Sequence, residues 1–151
     1  MNKIHTGRAL LGGIVAAVLI NLIEGVMNGA VLKADWAAAM QALGKSGEVT
    51  GAAIAIYNIG GLLYGIIGVW LYCALISRYG KGSITAAKAG LVVWALASAL
   101  PSLMMMPSAL LPGRLVAFAV TVDFIAILLG VTMGALLYRE EPAPVTREAH
   151  A

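Results

Sequence analysis

At 151 residues the chain is the size of one domain. It is 61% hydrophobic and 11% charged, where a soluble domain is about half apolar and about a quarter charged, so the composition excludes an ordinary water-soluble globule. The net charge of +3 is small and the basic residues scatter around the ends of apolar runs, a pattern that suits orientation in a bilayer and excludes a nucleic-acid surface.

A short polar lead carries Lys3 and Arg8, and the first apolar run covers 9–32. At about 1.5 Å per residue it is long enough for a hydrocarbon core of about 30 Å. It is too long for a cleaved signal peptide, and the polar stripe inside it does not belong in one. A loop over 33–50 follows, in which Asp35 is expected to cap a short interfacial helix from Trp36 through Leu43, with Gly44 as its stop. The second span covers 51–77, and Arg78 to Gly82 form a tight basic turn. The third span covers 83–106, with Lys88 snorkelling near its start and Pro101 near its far end. A loop bounded by Pro107 and Gly113 leads to the fourth span, 114–138. The expected fold is all-α: an integral-membrane, antiparallel four-helix bundle over 1–138, followed by a polar cytoplasmic tail over 139–151.

Orientation follows from the basic residues. With both termini inside, the cytoplasmic side receives Lys3, Arg8, Arg78, Lys81, Lys88, Arg139 and Arg147, and the opposite side receives Lys33, Lys45 and Arg114. The excess of basic residues favours N-in, C-in placement in a bacterial-type inner membrane.

Polar residues inside the spans are the candidate functional positions. Asn21, Glu24 and Asn28 are spaced three and then four apart, so a helix stacks them on one face. An acid in a membrane span is costly and marks a candidate site. Glu24 lies nine residues before Lys33, Asp123 nine after Arg114, Asn58 ten after Glu48 and Ser98 nine before Pro107. Each is roughly 14 Å of helix, so in the antiparallel topology all four spans contribute a polar residue at one depth. Tyr57 and Tyr64 lie beside the Asn58 face as further donors. Pro101 cannot donate to the Ala97 carbonyl, one residue from Ser98. Two carboxyls at one depth in a low dielectric cannot both ionise cheaply, so Glu24 and Asp123 are expected to share one proton or to lose none.

Small residues offer packing seams at Gly25 and Gly29, at Gly61 and Gly65, and at Gly130 and Gly134. They suit either the monomer core or a seam of a homo-oligomer or larger membrane complex. The lone Cys73 excludes an intrachain disulfide, and His5 and His150 lie in the tails, so neither a metal nor a cofactor is expected in the spans.

The layout resembles a family of small bacterial four-span inner-membrane proteins known only as a domain of unknown function. The residues that carry the resemblance are Asp35-Trp36 after the first span, Met40, Leu43-Gly44, the Tyr79-Gly80 turn and Gly90 to Trp94. It implies topology and no activity.

The leading functional expectation is a proton- or cation-responsive polar layer serving transport of a small solute. An accessory or scaffold subunit, with the layer as interhelical glue, is the alternative. A membrane-embedded lipid-modifying enzyme comes third, because no nucleophile, base and orienting group occur together.

Overall fold

The computed structural model describes residues 5–138. The polar tail expected over 139–151 lies outside them, as does Lys3. The described residues form helices joined by short loops, with no strand among them. Helix α1 (Thr6–Val26) runs into a wide π turn, Met27–Val31. Then come a short α2 (Lys33–Ala42), the long α3 (Gly51–Tyr79) and α4 (Ser83–Trp94). A second π turn, Ala95–Ala99, joins α4 to α5 (Leu100–Met105), and a 3-10 turn, Met106–Ser108, leads towards α6 (Gly113–Leu136).

Four continuous helical stretches are long and apolar enough to cross a membrane: Thr6–Val31, Gly51–Tyr79, Ser83–Ser108 and Gly113–Leu136. The shortest has 24 residues, about 36 Å of helix. Their outward surfaces are as apolar as their contacts, with Leu11, Val18, Trp70, Met104 and Leu129 all exposed. A helix hydrophobic all round belongs among lipid and other helices.

Local signals set several ends. Thr50 caps α3, its hydroxyl accepting from the Ala53 N–H at 3.2 Å. Gly80 at φ +76° closes α3, and Gly82 at φ +145° starts α4, conformations that L side chains rarely adopt. Asp35 does not cap α2. That helix already begins at Lys33, leaving Asp35 inside its first turn, where an acid still suits the helix dipole.

Helix α1 packs between α3 and α6, and α4 lies against α6 and α3. The contacts along α1 run in descending order along its neighbours. Gly13 meets Ile66, Ala17 meets Gly65 and Asn21 meets Gly61 on α3; Gly12 meets Gly134 and Ile20 meets Gly130 on α6. Backbones touch at these glycines. A methyl group at Gly65 would stand 2.5 Å from both the Ala17 nitrogen and the Gly13 oxygen. Ala16, Val69, Ala89 and Val131 are wholly buried between the helices.

Gly25 and Gly29 do not belong to this packing. No heavy atom of a neighbouring helix lies within 4 Å of where their Cβ atoms would be, so the face of the first span that carries them points away from its neighbours. The dense core therefore occupies the half of the bundle near the Arg78–Gly82 turn. The other half is looser, and it holds the polar residues.

Candidate functional site

Glu24 and Asp123 meet. They approach each other from α1 and α6, near enough for their charges to interact. Each has a fixed donor. The Asn28 side-chain amide donates to Glu24 Oε2 at 2.6 Å, and the Ser98 hydroxyl donates to Asp123 Oδ2 in a short hydrogen bond. The other Glu24 oxygen, Oε1, is buried with no donor of its own.

Two π turns aim these donors. Asn28 sits in the first and Ser98 in the second. A π turn widens the helix by a residue and occurs often at functional positions. The second has a visible cause: Pro101, in the first turn of α5, has no N–H to continue the ladder. Ser98 is buried there, 6% exposed, facing α6. Trp94 fixes the register of that contact. Its indole donates to the Val120 carbonyl at 2.9 Å, and its ring meets Phe124 edge-on with centroids 5.0 Å apart.

The chain of donors extends to the short helix. The Trp36 indole N–H donates to Asn28 Oδ1 at 3.0 Å. Trp36 and Leu111 pack around buried Leu32, Ala39 and Leu115, which docks α2 on the start of α6. Sequence reasoning placed Trp36 in an interface and missed its part in the site. A straight helix would not aim position 36 at position 28; the π turn and the break at Leu32 do so.

Three candidate residues stand elsewhere. Asn58 does not join the layer. The first turns of α3 have no helix packed over them, so its side chain is exposed and turns back to donate to the Ile54 carbonyl at 2.8 Å. Only its backbone oxygen takes part, accepting from the Asn21 amide at 3.1 Å. Tyr57 is 69% exposed for the same reason. Asn21 thus ties α1 to α3 and does not touch the carboxyls. Tyr64 of α3 is half-buried and packs against the core. At the far end Lys88 lies over the Tyr79 ring, 4.1 Å from its centroid.

A cleft of about 410 Å³ opens onto Asp123 and the Asn28 amide that holds Glu24. Asn28, Ser102 and Asp123 are polar residues of its lining; Trp36, Met105, Met106, Leu111 and Val116 are among the apolar ones. No Lys, Arg or His lines it among the described residues. No cluster of three His, Cys, Asp or Glu side chains occurs among them either.

The chemistry follows from the contact. Two carboxylates about 4 Å apart repel by about 4 kcal/mol at an effective dielectric of about 20. Carboxyl oxygens can touch favourably only with a proton between them. One shared proton would let the two carboxyls sit side by side and would leave one negative charge on the pair. Such a pair can hold a proton, or exchange it for another cation.

No known protein family, curated protein or solved structure matches this chain.

Proposed function

We propose that the chain is an inner-membrane, antiparallel four-helix protein with both termini in the cytoplasm, and that Glu24 and Asp123 form a proton- or cation-responsive site serving transport of a small solute. The observation that carries this reading is the meeting of the two carboxyls beside an open cleft. Purely structural polar contacts have no need of a cleft. The descending contact order from α1 to α3 and α6 supports the antiparallel arrangement, and the basic residues of the sequence support the orientation.

A second reading has its own support. The hydrogen bonds from Trp36 to Asn28 and Asn28 to Glu24 tie α2 to the first span, and that from Ser98 to Asp123 ties the third span to α6. An accessory subunit would need no more than that. The two readings separate in lightly buffered detergent, with a pH dye and a panel of inorganic and organic cations. The transport reading expects the parent to release protons to the solvent when some cation binds, and Glu24→Gln and Asp123→Asn to stay folded and release none. No proton movement in the parent, or loss of fold in both variants, gives the site to the structural reading.

A further inference from the structure

We infer that the cleft beside Asp123 takes an organic monocation with one apolar arm, whose charged head displaces the proton held between Glu24 and Asp123. This rests on the proton- or cation-responsive reading of the pair and names the class of solute.

The first argument is charge. The pair carries one negative charge when it shares a proton and two when it gives the proton up. The cleft lining has no basic residue to balance either state. A bound cation supplies that balance from outside, and the proton leaves to water, so the site's net charge is unchanged by the exchange. No bond other than those to this proton is made or broken.

The second argument is the shape and chemistry of the walls. A small inorganic ion needs a close shell of oxygens. Here the side-chain oxygens are those of Asn28, Ser102 and Asp123, while the volume of about 410 Å³ is bounded mainly by apolar side chains such as Trp36, Met105, Met106 and Leu111. That volume is in the range of small-molecule sites. Met side chains adapt to irregular apolar surfaces, and an indole face favours a cation or an aromatic ring. A neutral apolar molecule would fit the walls but leave the acid unanswered. A small hydrated cation would answer the acid but leave the walls wet.

The test is calorimetric titration of the purified protein in two buffers of different ionisation enthalpy, which counts protons released per ligand bound. The probes are benzyltrimethylammonium, its neutral isostere neopentylbenzene, tetramethylammonium and sodium. Benzyltrimethylammonium is expected to bind saturably and release one proton. Tetramethylammonium, without the arm, is expected to bind at least about tenfold more weakly, and neopentylbenzene to release no proton. Glu24→Gln and Asp123→Asn are expected to abolish release. Met105→Trp, which fills the cleft from a wall position and leaves the pair intact, is expected to weaken benzyltrimethylammonium by at least about tenfold; this variant decides the matter if the carboxyl variants do not fold. Equal binding of the neutral isostere overturns the inference. So does proton release by sodium or tetramethylammonium at the affinity of benzyltrimethylammonium, although that result keeps the cation-responsive reading. If no cation releases a proton, both fall.

Discussion

Trp36 and Glu24 are joined through a single amide: the indole donates to Asn28 Oδ1 at 3.0 Å, and the same amide donates to Glu24 Oε2 at 2.6 Å. A residue on a short helix at the end of the bundle is thus two hydrogen bonds from a carboxyl inside it. Asn28 can serve both because an amide accepts on oxygen and donates on nitrogen.

Trp36→Phe removes that link and keeps most of the ring's packing against Leu32, Ala39 and Leu115. A lost neutral hydrogen bond costs about 0.5–1.5 kcal/mol, which for a chain of this size lowers the melting temperature by a few degrees. The loosening should centre on α2. Hydrogen exchange in detergent is expected to speed up at residues 33–42 and to change little in the core around Val69 and Val131. Equal acceleration in both regions would show that Trp36 acts by packing alone.

Ser98→Ala tests the opposite wall of the pair. Ser98 is the hydroxyl donor to Asp123, and it is buried. Its removal leaves a buried acceptor short of a partner, at a cost of about 1–3 kcal/mol. Thermal unfolding should show the loss, and cation-driven proton release should change in its midpoint. Ser98→Thr, which keeps the hydroxyl, is expected to recover proton release even if the added methyl lowers stability.

The glycine pairs make a matched comparison. Gly65→Ala sets a methyl 2.5 Å from the α1 backbone, and overpacking of that kind costs about 1–3 kcal/mol. Gly25→Ala and Gly29→Ala meet nothing within 4 Å. In isolation each should be neutral or stabilising by up to about 1 kcal/mol through helix propensity. Melting in detergent checks both. A loss at Gly25 or Gly29 accompanied by a change in oligomeric mass would place a second chain on that face.

These pairs also mark how far the sequence is legible. Gly25/Gly29 and Gly61/Gly65 have the same spacing and lie in equally apolar runs. Nothing local distinguishes them, because only the placement of neighbouring helices decides which face is covered. The four spans are readable because hydropathy alone demands them. Counting residues from the span ends puts Glu24, Ser98 and Asp123 at one depth, and their side chains meet. The same count includes Asn58, whose phase matches Gly61 and Gly65 but whose turn of α3 has no neighbour over it. The π turns are the other hidden element. Pro101 signals the second, whereas the run Met27–Val31 contains no proline and gives no warning of the first. Without that turn Trp36 has no reason to find Asn28.

The proton between Glu24 and Asp123 is itself open to measurement. If the two acids share one, an infrared spectrum of the parent contains a protonated carboxyl band that Glu24→Gln removes, because the glutamine amide takes the proton's place and donates to an ionised Asp123. Asp123→Asn should remove it as well. Two separately neutral acids would behave otherwise, each single variant keeping about half the band. Stability gives an independent reading. Glu24→Gln preserves a donor towards Asp123 and should cost no more than about 1 kcal/mol, whereas Glu24→Leu fills similar space without one and should cost about 1–3 kcal/mol. If Leu proves as good as Gln, the contact between the acids contributes only volume, and the pair has no proton to exchange.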